Sequence, residues 1–298
     1  MLKKINFFFY IVFLLVLSPM SILSQQGSDI YLIQITPDGA KLVFVNPVKI
    51  NVTEGYNNQP FFHPDGESLF FASGVGSNTD IYQYTIETGR TIQLTDTPDS
   101  EYSPTVMPVG SKFSVIQLIT SEGPREGAQP LIAFPIAGGQ PELLYEDGER
   151  VGYHAWINSD TVAMFLLGTP NFLQIVNIKD RSSQRIAENI GRSLYKIPGQ
   201  ESISFSQSSE DSLNVIMRYN LKTGKSETIV PMLEGNSFYA WSPSGMLVMG
   251  VKSTLFGFRP GLDEEWQTIW DLNELGIKNI SRLAVHPETL WIAVVSSQ

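Results

Sequence analysis

The stretch FFHPDGESLFFAS, Phe61 to Ser73, decides the fold. A short apolar run gives way at His63-Pro64-Asp65-Gly66 to a turn, and the turn leads into a second run, Ser68 to Ser73. Proline presets the turn backbone and Gly66 supplies the positive φ that a tight reversal needs. Two such runs across such a turn read as a β-hairpin. The same anatomy returns as TVMPVGSKFSVIQ (Thr105 to Gln117), HAWINSDTVAMFL (His154 to Leu166) and LYKIPGQESISFS (Leu194 to Ser206). It returns again as YAWSPSGMLVMGV (Tyr239 to Val251) and LAVHPETLWIAVV (Leu283 to Val295). Set in register on Pro64, Pro108, Asn158, Ile197, Pro243 and Pro287, the six copies are spaced by 44, 50, 39, 46 and 44 residues.

Each of these hairpins is followed by a second, whose leading strands are DIYLIQI (Asp29 to Ile35), DIYQYTI (Asp80 to Ile86), PLIAFPI (Pro130 to Ile136), FLQIVNI (Phe172 to Ile178), NVIMRYNL (Asn214 to Leu221) and TLFGF (Thr254 to Phe258). Four strands per repeat and six repeats predict an all-β, six-bladed β-propeller forming one domain over residues 25–298. An open solenoid or a two-sheet sandwich also uses short strands and Gly/Pro turns, but a sandwich would not give six copies of one unit. The chain enters with an outer hairpin alone, Asp29 to about Val52, and leaves with an inner hairpin alone, about Ile280 to Ser296. The last blade is therefore expected to be closed by strands from both termini.

From Asn58 to Asp96, NQPFFHPDGESLFFASGVGSNTDIYQYTIETGRTIQLTD resembles the Pro-Asp-Gly propeller repeat of TolB-type periplasmic proteins. The shared elements are Pro60, Phe62, the His63-Pro64-Asp65-Gly66 turn, the Asp80-Ile81-Tyr82 strand start and the Leu94-Thr95 ending; WSPSG at Trp241 and VHPE at Val285 are degenerate copies. The resemblance covers about residues 29–298 and does not include the separate N-terminal α/β domain of that family, which puts a Tol–Pal role in doubt. It implies a bacterial, exported propeller. The motif residues are structural in the family, so no catalytic site carries over with them.

The leader agrees with export. Lys3 and Lys4, the apolar run Ile5 to Leu17 and the exit SPMSILS describe a secretory signal over residues 1–24, with cleavage expected near Ser24 or Gln25. Spanning a bilayer takes about 20 residues, so an uncleaved anchor is the rival reading only if the run extends past Pro19, and no membrane span is expected after cleavage. The 298 residues contain no cysteine, which excludes lipoprotein attachment, thiol catalysis and cysteine-ligated metals. Cleavage would remove both lysines and take the formal charge from −10 to −12. Such a surface repels nucleic acid and favours basic proteins or cations.

Loops leading into the innermost strands would form one rim of the central channel. Glu54, Asp96, Asp99, Glu101, Asp147, Glu149 and Glu234 are expected there, with His154 opening an inner strand nearby. Their collective charge would bind a basic protein segment or a cation, although acidic residues are common in the solvated loops of any acidic protein. No calcium-loop spacing is present and no cofactor is expected, while calcium at the acidic rim stays open. His63 and His286 fall at equivalent turns and read as structural. Ser193-Leu194-Tyr195-Lys196 matches Ser-x-x-Lys but enters a strand, where that motif needs a helix start. The longest insertion, Leu118 to Pro130, carries Arg125 as a binding candidate. Gly261 to Ile277 carries Trp266 and Trp270 and reads as a short helix or an outer strand with its turn, the tryptophans covering the blade's outer face.

The functional expectation is a non-catalytic protein-binding scaffold in a bacterial envelope or extracellular assembly, periplasmic or secreted. The alternative is a propeller hydrolase or lyase, lactonase-like or glycan-processing, with a channel site such as Glu54, Asp147 and His154 brought together. A third reading is a propeller accessory to a peptidase or sensor.

Overall fold

A computed structural model describes residues 27–297 except 40, 76–77 and 209–213; the expected leader and its cleavage point lie outside the described residues. The chain opens with a hairpin, β1 (Ser28–Asp38) and β2 (Lys41–Lys49). Five complete sheets follow in sequence order. Blade 1 is β3 (Tyr56–Phe62), β4 (Ser68–Val75), β5 (Asn78–Thr85) and β6 (Arg90–Gln93); blade 2 is β7 (Ser100–Val106), β8 (Lys112–Leu118), β9 (Leu131–Pro135) and β10 (Glu142–Tyr145). Blade 3 is β11 (Arg150–Trp156), β12 (Thr161–Leu167), β13 (Phe172–Asn177) and β14 (Ser183–Glu188). Blade 4 is β15 (Ile190–Lys196), β16 (Ser202–Ser208), β17 (Asn214–Asn220) and β18 (Lys225–Pro231). Blade 5 is β19 (Tyr239–Trp241), β20 (Leu247–Val251), β21 (Thr254–Phe258) and β22 (Gln267–Asp271). The chain ends with the hairpin β23 (Ile280–Val285) and β24 (Trp291–Ser297).

The two terminal hairpins form the sixth blade, in the order β2-β1-β24-β23. β1 and β24 pair antiparallel through seven residue pairs, from Ser28 opposite Ser297 to Gln34 opposite Trp291. This is the composite blade expected from the sequence. Alternation of side chains explains why the seam holds. Ile30, Leu32, Ala293 and Val295 pack with Leu69 and Phe71 of blade 1, whereas Ile33, Ile292 and Val294 pack with Val248 and Leu255 of blade 5. These seam residues are at most 2% exposed, and full burial of an aliphatic side chain contributes about 1.5–3 kcal/mol. Each innermost strand touches those of the blades on either side, so the ring is closed.

Polar struts tie neighbouring blades. Gly66 adopts φ 77°, and a Cβ there would lie 2.8 Å from the His286 ring. That ring accepts a hydrogen bond from the Glu288 amide at Nδ1 (3.0 Å), so Nε2 carries the proton donated to the Gly66 carbonyl at 2.8 Å. The glycine of the Pro-Asp-Gly turn therefore serves both the turn and the clamp from the composite blade. Segment 261–277 contains both expected elements: β22 runs into a 3₁₀ turn, Leu272–Leu275, capped by Asp271 and ended by Gly276 at φ 77°. Trp266 donates to the Pro231 carbonyl at 2.9 Å and packs on Phe258, and Trp270 packs on Phe44 of β2. Both tryptophans join outer strands. Among the described residues no helix is long and apolar enough to cross a membrane.

Candidate binding channel

Six inner strands surround a cavity of about 720 Å³. Its mouth carries Pro64, Pro108, Asn158, Pro198 and Pro287, so it opens on the face of the hairpin turns. Five residues ahead of each turn position stand Gln59, Ser103, Tyr153, Arg192, Phe238 and Arg282, one from each blade, and all six line the cavity. Two positions further on, Ala155, Ala240 and Ala284 keep the bore open. Five of the six inner strands are irregular next to this ring: the register shifts between Asn58 and Phe61, Tyr102 and Thr105, Val151 and Tyr153, Ile190 and Leu194, and Ile280 and Arg282. Pro60 and Pro104 offer no N–H to the ladder, which forces two of these bulges, and a bulge re-aims the side chains beside it.

Arg282 is the centre of the ring. It belongs to the composite blade and donates to the Tyr153 hydroxyl of blade 3, diametrically opposite, at 3.1 Å. Its guanidinium lies 3.9 Å from the Phe238 ring centroid and 5.2 Å from that of Tyr153. This bar crosses the channel, and among the described residues no loop from the opposite face lines the cavity. Burial would raise the Tyr153 phenol, but Arg282, with Arg192 beside it, outweighs burial and holds the group below its ordinary value. Tyr56, walled in more tightly, is pushed up by burial. Arg192 has no hydrogen bond or ion pair within the described residues, and none of the residues lining the cavity is Asp or Glu. Arg192, Arg282 and Lys196 thus face a cavity without a carboxylate, in a chain with 30 Asp and Glu.

The acidic candidates lie on the other face, in or beside the loops entering the inner strands. They divide by environment. Glu54, Asp96, Asp147, Glu149 and Glu234 are exposed. Asp99 accepts from the Thr120 amide (2.9 Å), the Ser121 amide (3.1 Å) and the Ser121 hydroxyl (2.8 Å), tying down the insertion after β8. Burial pushes its carboxyl up, and these donors together more than offset that. Glu101 is fully buried, accepts from Thr97 (2.6 Å) and Gln117 (2.9 Å) on one oxygen, and is raised by burial. Its carboxyl is not exposed at the rim surface. Asp147 accepts from the Tyr145 hydroxyl, and Arg125 pairs with Glu146 at 3.0 Å. Among the described residues no group of three or more His, Asp or Glu is placed to hold a metal.

His154 does line the channel wall, but its ring is buried and its Nε2 meets the Ser114 hydroxyl of blade 2 at 2.6 Å. Trp156 donates to the same hydroxyl at 2.8 Å. Blade 5 repeats the device: Tyr239 and Trp241 both donate to Ser204 of blade 4, at 2.9 and 2.8 Å. His154 thus bonds to a neighbouring blade rather than to Glu54 or Asp147. Burial lowers its pKa from 6.5 to about 3.

No family model matches the sequence, and no curated protein matches it. Similarity lies in the fold. The structure is similar to a protein assigned as a TolB from Agrobacterium tumefaciens, with a TM-score of 0.67 at 15% identity over 92% of this chain and 99% of that one. It is similar to TolB from Acinetobacter baumannii, with a TM-score of 0.58 at 12% identity over 91% of this chain and 64% of that one. An oligogalacturonate lyase from Vibrio parahaemolyticus gives 0.52 at 11% identity over 92% and 98%. The structural neighbours thus include TolB-like propellers and a propeller enzyme, and the likeness at these identities is one of fold.

Proposed function

We propose that the chain is exported to the periplasm or beyond and works as a TolB-like, non-catalytic binding scaffold whose binding site is the channel mouth on the turn face. One observation carries this reading: a cavity walled by all six blades, with aromatic and proline sides and cationic groups at its closed end, of the size that ligand sites occupy. The histidine in its wall is engaged as a strut between blades, which supports recognition rather than proton transfer. The partner is a protein of the envelope or of an extracellular assembly, and the exposed rim acids Glu54, Asp96, Asp147, Glu149 and Glu234 are a secondary surface for a basic segment.

A photo-crosslinking residue placed at Pro108 or Asn158, at the mouth, and at Glu234, on the rim, tests this in cells expressing the full chain. Adducts from the mouth positions are the expected result. Adducts from Glu234 alone would move the site to the rim. The likeness to oligogalacturonate lyase favours one second reading, an enzyme using the same cavity, and cleavage of a uronate oligosaccharide by the purified protein would establish it.

A further inference from the structure

Among the described residues, the inner end of the channel is a cationic site without a carboxylate. A guanidinium carries five N–H donors in a planar fork. Arg282 gives one to Tyr153 and rests its face against Phe238, which leaves the edge of the fork for a planar acceptor. Arg192, from blade 4, faces the same space with no protein acceptor among the described residues. Among the described residues some exposed cations pair with carboxylates, as Lys112 does with Glu142, Lys179 with Asp160 and Arg259 with Asp263, while Arg90, Arg150, Lys225, Lys252 and Lys278 do not. Inside the channel none does. Low-dielectric walls strengthen the field of the half-buried Arg282 compared with open water, while Arg192 is exposed, and the walls toward the mouth mix Phe61, Trp241 and alanines with Thr105, His154 and Lys196.

We propose that this end of the channel binds a carboxylate carried on an apolar or aromatic body, the carboxylate on Arg282 and Arg192 and the body against Phe61, Trp241 and the three alanines Ala155, Ala240 and Ala284. The proposal rests on the reading of the channel as the binding site and names its ligand chemistry. Such a group is the free end of a protein partner's chain or a small organic acid. A bidentate Arg–carboxylate contact supplies both affinity and orientation.

The test titrates the protein with two acid and amide pairs: 4-phenylbutyrate against 4-phenylbutyramide, and the tripeptide Ala-Phe-Phe against its C-terminal amide, read by tryptophan fluorescence or calorimetry. Each acid should bind at least about tenfold more tightly than its amide, since a hydrogen bond to a charged group is worth that much or more. The source is given by which pair binds: preference for the tripeptide identifies a chain end, preference for phenylbutyrate a small acid. Arg282→Gln and, independently, Arg192→Gln should erase the difference between acid and amide. Arg192 forms no bond in the fold, so its variant stays informative even if loss of the Arg282 bar impairs folding.

Acid and amide binding alike, or a preference for acids that survives in both variants, would overturn the inference and leave the channel as a neutral pocket. No binding of any probe would overturn it too, while crosslinking at the mouth would still decide the scaffold reading separately.

Discussion

His154 and Tyr239 occupy one place in their repeats, four residues ahead of the turn position, and each meets a serine of the preceding blade beside a tryptophan two residues on. The substitution His154→Tyr should therefore keep the strut and change one property, the response to acid. Buried in blade 3, the imidazole stays neutral to about pH 3, whereas in the unfolded chain it protonates near 6.5. Between those values the unfolded chain binds a proton that the folded chain does not, so stability falls as pH falls through that window. The slope approaches about 1.4 kcal/mol per pH unit, and the loss from this group between pH 7 and pH 5 is about 2 kcal/mol.

Tyrosine is neutral at both pH values, and other titrating groups are common to the two proteins. The stability difference between variant and wild type should thus shift by about 2 kcal/mol in the variant's favour at pH 5 relative to pH 7. Urea denaturation followed by tryptophan fluorescence at the two pH values measures it. Tyr239→His should show the opposite sign. A difference that does not change with pH would refute the description of His154 as a neutral strut.

Leu32 faces Ala293 across the seam, so Leu32→Cys with Ala293→Cys should form an intrachain disulfide in a chain that otherwise has no cysteine. Closing a loop of about 260 residues should raise stability by up to about 5 kcal/mol on the chain-entropy model, seen as a higher melting temperature that reductant reverses; oxidation to dimers instead would contradict the composite blade. Ser204→Ala leaves the Tyr239 hydroxyl and the Trp241 indole without their acceptor, and should cost about 2 kcal/mol or more in chemical denaturation; a neutral effect would show that the strut is not needed. Gly250→Ala places a Cβ 2.3 Å from Ile280 Cγ2, so it should cost about 1–3 kcal/mol, and a melt like that of the wild type would mean that blade 5 and the composite blade do not pack as described.

The fold was legible because its determinants are local and repeated. Pro64, Asp65 and Gly66 specify a turn without reference to any distant residue, and the runs on either side alternate as strands do. Even the composite blade could be read, since each terminal hairpin lacks its other half in sequence. The channel was harder. Its ring residues lie about one repeat apart, and Arg282 within SRLAV or Tyr153 within GYHAW is unremarkable alone. A bulge decides that each points inward, and a bulge breaks the two-residue alternation on which a strand reading depends. A signal was nevertheless present: reading the residue five places ahead of every turn gives Gln59, Ser103, Tyr153, Arg192, Phe238 and Arg282 together. Net charge drew attention to the acidic rim instead, because composition reports how many carboxylates a chain has and not where they are missing.

That separation of charge has a consequence for the ring. The rim acids sit in continuous loops, where a donor a few residues away or on the adjacent insertion can reach them, as Ser121 reaches Asp99. The channel positions come singly from six blades, and among the described residues no Asp or Glu lines the bore beside Arg282. Its partners are the Tyr153 hydroxyl across the ring and the Phe238 face beside it, not carboxylates. Arg282 lies on β23, in the hairpin that β1 must capture to shut the ring. An anion shared by Arg282 of the composite blade and Arg192 of blade 4 would bridge the closing hairpin to blade 4. Occupancy and closure would then be one linked equilibrium, in which ligand at a hundred times its dissociation constant adds about 2.7 kcal/mol to the closed form.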